Sequence, residues 1–162
     1  MREIDLQQQV ADYIRLQYPS AIFHSDFGSG IKLTMGQAIK QKRLNGGRRA
    51  WPDMFIAEPR RIHVRDTDKE RYTHAVILGY GDTEIGRFYA LMVAGLFIEL
   101  KKEGTRIFKK DGKLVADEHI REQFDMLHDL RARGYVAEFG IGFEGAKKLI
   151  DSYMRGKYVH ND

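Results

Sequence analysis

The 162-residue sequence contains no cysteine. Disulfides and thiolate metal sites are thereby excluded, and a cytoplasmic setting is the expectation. No apolar run approaches the roughly 20 residues that a membrane span requires. The polar, amphipathic N-terminus also lacks the charged-then-apolar pattern of a signal peptide, so no membrane partner is expected. Internal repeats, low-complexity tracts and interdomain linkers are absent. What remains is 43% hydrophobic and 31% charged, ordinary for a globular protein and long enough for one core but hardly a second. The expectation is a single domain over 1–155 with a frayed polar tail at 156–162.

Acidic charge is also missing locally. Lys32, Lys40, Lys42, Arg43, Arg48 and Arg49 lie in a stretch, 32–49, that holds no acid. A second basic cluster follows Glu99 and consists of Lys101, Lys102, Arg106, Lys109, Lys110 and Lys113. Clustered cations suit a polyanion, because each can neutralise a phosphate and release a counterion. The plainer reading is a solvated face.

Hydrophobic spacing predicts a helix over 3–18, with Leu6, Val10, Tyr13, Ile14 and Gln17 on one stripe, ended by Pro19. A short strand follows at 21–24, then a glycine-bearing turn at 26–30. A basic helix is expected over 34–44, stopped by Asn45-Gly46-Gly47, and a strand at 54–57 entered through Trp51-Pro52-Asp53. The segment 60–71 is densely charged and expected to be exposed; 72–80 reads as a strand, and 83–94 as a helix or strand. A strand at 95–101 leads into a basic loop. The helix over 117–133 has Asp117 as its N-cap and Gly134 as its stop, with Ile120, Phe124, Leu127 and Leu130 inward. A strand at 135–140 and a helix at 143–154 complete an α/β domain.

Leu96-Phe97-Ile98-Glu99-Leu100-Lys101 carries the chemistry. Strand alternation puts Glu99 and Lys101 on one side and Leu96, Ile98 and Leu100 on the other, in a core layer. A carboxylate beside an ammonium is either a simple ion pair or a metal ligand next to a water-positioning cation. Asp53 opens the apolar strand Met54-Phe55-Ile56. Were that strand beside the Glu99 strand, the two carboxylates would converge on an all-oxygen site of the kind Mg²⁺ or Mn²⁺ prefers, with the Leu100 carbonyl in reach. Asp66, Asp68 and Asp82 compete with Asp53 for this role. Two polar residues sit on otherwise apolar stripes: Glu3 in the first helix and Gln123 among Ile120, Phe124 and Leu127. Burying either unpaired costs on the order of 1–3 kcal/mol. Glu3 is alternatively an exposed acid favoured by the helix dipole, and Gln123 a partner of a loop.

Taken in order, several motifs resemble the VRR-NUC family, a branch of the PD-(D/E)XK nucleases of phages, bacteria and eukaryotic repair. They are Glu3 with Gln7, Asn45-Gly46-Gly47-Arg48-Arg49-Ala50-Trp51-Pro52-Asp53, the Leu96–Lys101 strand, Gln123, and Arg131-Ala132-Arg133-Gly134-Tyr135. The resemblance covers about 3–57 and 95–154. It implies a restriction-endonuclease-like core, a central mixed sheet flanked by helices, with 58–94 inserted for substrate selection or dimerisation. Asp53 and Glu99 match the family's metal-binding acids, Lys101 its water-orienting lysine, Glu3 the acid that completes the metal site, and Gln123 a supporting glutamine.

The activity implied is metal-dependent, structure-selective DNA endonuclease cleavage of flap or junction DNA in replication, repair or recombination, with Mg²⁺ or Mn²⁺. Lys40, Lys42, Arg43, Arg48, Arg49, Lys102, Arg106, Lys109 and Lys110 would grip the DNA backbone without reading sequence. A homodimer in a bacterial or phage-infected cell is implied as well. The alternative is a nuclease-fold accessory protein that binds DNA without cutting it. The 45 residues of 54–98 between Asp53 and Glu99 are more than many stand-alone members carry.

Overall fold

Because Leu96, Ile98 and Leu100 alternate with Phe97, Glu99 and Lys101, the strand β6 (Leu96–Lys101) can serve two layers at once. The first three are fully buried in the main core. Phe97 instead joins a smaller cluster under a different helix. A computed structural model describes residues 2–26, 34–47, 50–84 and 86–158. Among these, β6 is central to a mixed four-stranded sheet of order β1-β2-β6-β7, with β1 at Phe23–Ser25, β2 at Met54–Ile56 and β7 at Val136–Ile141. The pairs β1–β2 and β2–β6 are antiparallel and β6–β7 is parallel.

Helices cover both faces. The helix α1 (Glu3–Gln17) buries Leu6, Val10 and Ile14 in the main core, where α4 (Gly142–Met154) adds Ala146, Ile150 and Tyr153. Each fully buried aliphatic side chain contributes about 1.5–3 kcal/mol from transfer out of water. On the opposite face α3 (Glu118–Ala132) packs Met126, Leu127 and Leu130 on Ala137, Phe97, Tyr135 and Phe139. Asp117 caps α3 by accepting a hydrogen bond from the Ile120 amide at 3.0 Å, and Gly134 (φ 87°) ends it, as expected from the sequence. In α1 the stripe needs correction: Gln17 is exposed, and Gln7 is buried instead. The first strand begins at Phe23 rather than 21. Between β1 and β2, α2 (Met35–Leu44) is capped by Thr34 and buries none of its residues.

The 58–94 segment is where expectation and structure part. Arg60–Arg65 is not an exposed charged stretch but the strand β3, with Ile62 and Val64 fully buried. A single 3₁₀ stretch, Asp66–Tyr72, follows, so the next strand, β4, starts at Val76 rather than 72 and runs to Thr83. The 83–94 region contains the strand β5 (Gly86–Val93) and, among its described residues, no helix. These strands form an antiparallel sheet of order β3-β5-β4. Charge hid the burial: Arg61, His63 and Arg65 alternate with the two core residues, and half-buried strands show only alternate apolar positions. Ile62, Val64, Leu91 and Val93 share the main core, so this sheet is built onto the domain.

At the C-terminus the packed chain extends past Arg155. Tyr158 is buried and donates to Glu138 at 2.7 Å, while 159–162 lie outside the described residues. No described helix is long and apolar enough to cross a membrane.

Candidate metal centre

Asp53 directly precedes β2, and Glu99 lies in the neighbouring β6, where Met54 is opposite Ile98. That register brings the end of one strand beside the fourth residue of the other. The approach depends on Gly95: a Cβ there would lie 2.6 Å from the Phe55 ring and 2.7 Å from the Ile56 carbonyl oxygen. The Leu100 amide donates to Asp53 Oδ2 at 2.8 Å, fixing the carboxylate against β6. Leu100 thus meets Asp53 through its N–H.

Glu3, in the first turn of α1, completes a group of three carboxylates. One oxygen from each of Glu3, Asp53 and Glu99 lies within 4.8 Å of the others. Asp53 and Glu99 are buried and Glu3 is half-buried. Burial, then the Asp53 charge, and also Glu3, push the Glu99 carboxyl up to about 8, against the opposing pull of Lys101. Lys101 Nζ lies 3.0 Å from Glu99 Oε1. Gln123, buried on α3, donates its amide to the same oxygen. The other acids considered lie elsewhere: Asp68 pairs with Arg71 at 3.6 Å and Asp82 with Arg87 at 2.8 Å, beside or within the second sheet.

These residues fit a hard divalent cation. Three carboxylates in so small a space repel one another, which a cation would relieve, and an all-oxygen donor set matches Mg²⁺ or Mn²⁺. Gln123 Oε1 is buried and has no hydrogen-bond partner among the described residues, leaving an acceptor open beside Glu99.

Two supporting residues had no role assigned from sequence. Gln7, one turn after Glu3 on the same helix face, donates through Nε2 to Ser25 Oγ (2.8 Å), the Asp26 carbonyl (2.6 Å) and the Asp53 carbonyl (3.3 Å). It locks α1 to the strand end that presents Asp53. The signal was available, since Gln7 adjoins the apolar stripe and is four residues from Glu3. His119, four residues before Gln123, places its Nε2 3.0 Å from the Gln123 amide nitrogen.

Of the basic residues, Lys40, Lys42, Arg43, Lys102, Arg106, Lys109 and Lys110 are all exposed, while Arg48 and Arg49 lie outside the described residues. Lys102 is exposed although its neighbour Lys101 is buried.

No family model matches the chain, and no curated protein matches it. Among solved structures, a VRR_NUC domain protein is similar to it over 99% of this chain and 93% of that one, with a TM-score of 0.56 and 19% sequence identity. The two chains share a fold. That fold is the mixed sheet flanked by helices described above.

Proposed function

We propose that this protein is a metal-dependent DNA endonuclease of the VRR-NUC type, with a PD-(D/E)XK core. The observation that carries this reading is the convergence of Glu3, Asp53 and Glu99 beside Lys101, on a fold shared with a VRR_NUC domain protein. Glu3, Asp53, Glu99 and the Leu100 carbonyl would hold Mg²⁺ or Mn²⁺. When bound, such an ion supplies Lewis-acid polarisation of the phosphate and acidifies a water. Lys101 holds Glu99 in place and directs its ammonium toward charge developing on the phosphate. Gln123 fixes the Glu99 carboxylate from the helix side. The exposed cations on α2 and in 102–110 grip the DNA backbone, contacts that position a duplex without reading its sequence. A preference for flap or junction DNA, in replication or repair, follows from that mode of binding. The reading extends to a two-fold homodimer, for which β4, a long strand with Val76, Ile77, Leu78 and Tyr80 exposed, offers an edge to pair.

The test is cleavage of labelled linear, flapped and four-way-junction DNA with Mg²⁺, Mn²⁺ or EDTA. Ion-dependent cutting, strongest on a branched substrate, is expected. DNA binding without cutting under any ion would replace the enzyme by a nuclease-fold accessory protein, and absence of binding would overturn both.

A further inference from the structure

The chain between Asp26 and Asp53 leaves and returns at the metal centre, since the Asp26 amide donates to the Asp53 carbonyl at 2.8 Å. Within that excursion lie six Lys and Arg, no Asp or Glu, and the unburied α2. Its last aromatic, Trp51, is two residues before Asp53 and 39% exposed. Two contacts hold the indole in place: Nε1 donates to the Asn45 carbonyl at 3.3 Å, and the ring lies 6.2 Å from that of Phe97. Phe97 is itself stacked on Phe55 at 4.3 Å and is two residues before Glu99 on the same face of β6. Trp51 is thus tied to the site twice, through the chain to Asp53 and through Phe97 to Glu99. Just before it, Ala50 has φ 58°, a left-handed conformation unfavourable for a residue with a Cβ. Such strain persists where the surrounding structure enforces it.

A large aromatic kept at the surface beside a cation-rich excursion suits an occupant that is anionic along its length and flat and apolar in part. Nucleic acid with an accessible base has both properties. Bases inside a continuous duplex hide their faces in the stack, whereas an unpaired base offers one to an aromatic ring. We infer that Trp51 is a base-stacking residue that selects DNA with an unpaired nucleotide next to the cleaved phosphodiester. This rests on the nuclease reading above and deepens it, because it assigns the preference for branched DNA to one side chain rather than to phosphate contacts.

Trp51 is the sole tryptophan, so intrinsic fluorescence reports on its ring alone. The full chain, with Ca²⁺ in place of Mg²⁺, is titrated with a dumbbell duplex closed at both ends by non-nucleotide linkers, so that every base is paired, and with a duplex of equal length bearing a single-stranded flap. Anisotropy of a dye on the DNA gives affinity independently. The flapped DNA is expected to quench the tryptophan and the dumbbell to leave it unchanged. Trp51→Ala should weaken flap binding on the order of tenfold while dumbbell binding stays within about twofold, and Trp51→Phe should retain most of the affinity. Equal quenching by both DNAs, equal loss of affinity for both, or flap binding with no change in emission would overturn the inference. Should Trp51→Ala not fold, wild-type quenching and Trp51→Phe decide alone. Cutting that requires Asp53, combined with any of those failures, leaves the nuclease standing and removes only Trp51. Failure of wild type to bind either DNA removes both.

Discussion

Two carboxylates near α1 live in opposite surroundings. Asp151 on α4 accepts from the Tyr13 hydroxyl at 2.6 Å, the Tyr18 hydroxyl at 2.7 Å and Lys147 at 3.0 Å, with Arg155 at 3.7 Å. Burial works against its charge, yet these donors hold its carboxyl down at about 2. Glu99 is more deeply buried, has two other acids for neighbours, and receives hydrogen bonds from Lys101 and Gln123. Its carboxyl is pushed up to about 8. Asp151 ties α1 to α4 and has its partners within the fold. Glu99 has been placed where folding alone leaves it short of positive charge, the arrangement expected of a group that serves a ligand.

The contrast breaks most visibly at the candidate metal centre. Asp53→Ala or Glu99→Ala should abolish cleavage while DNA binding survives or tightens, since on the proposed reading each removes a metal ligand and also an acid facing phosphate. Mn²⁺ should raise the Tm of wild type and not of these variants, because only a ligand that binds the native state stabilises it. Wild-type cutting by either variant would place the chemistry elsewhere.

A smaller effect separates Lys101 from Lys102. Lys101→Ala should lower the single-turnover rate roughly 10²-fold, as for loss of one preorganised donor. Lys102→Ala should weaken binding modestly and reduce the salt slope by about one phosphate contact. Equal losses of rate, measured at saturating enzyme, would show that the buried lysine is only an ion-pair partner.

Asp151→Ala should cost about 1–3 kcal/mol in urea unfolding, because two tyrosine hydroxyls and a lysine lose their common acceptor. The cleavage rate of the folded fraction should change little. A rate loss as large as that of Lys101→Ala would mean that the two centres are coupled through α1.

The smallest effect is in the pH dependence of stability without metal. Glu99, with its folded value raised, keeps its proton between about 4.5 and 8 while the unfolded chain has lost it. Stability should therefore fall as pH rises through that window. Asp151, with its folded value lowered, contributes stability that is complete above 3.8 and is lost as pH falls toward about 2. Glu99→Gln should flatten the alkaline decline in Tm by a few degrees, and Asp151→Asn the acid decline. An unchanged alkaline slope in Glu99→Gln would show that Lys101 neutralises the site by itself.

How much of this was legible depends on the range of the interaction. The alternation in 96–101, the Asp117 cap and the Gly134 stop are local, and each appears in the structure where the sequence puts it. The second sheet was obscured because Ile62 and Val64 are flanked by Arg61, His63 and Arg65, and two apolar residues make too short a pattern to outweigh the charge. Gln7 was visible as a polar residue beside a buried stripe. That its amide bridges three strand-end groups was not.

By itself the sequence determined which residues could do chemistry and which side of a strand each would face, because side-chain type and a period of two are properties of the chain. Only the tertiary structure decided that Glu3, Asp53 and Glu99 meet. They come from a helix, a strand and the residue that enters another strand, far apart in sequence, brought together by the pairing of β2 with β6 and the docking of α1. That convergence places three carboxyl groups together, an arrangement with no local pattern to announce it, held in place by burial of the apolar residues around it.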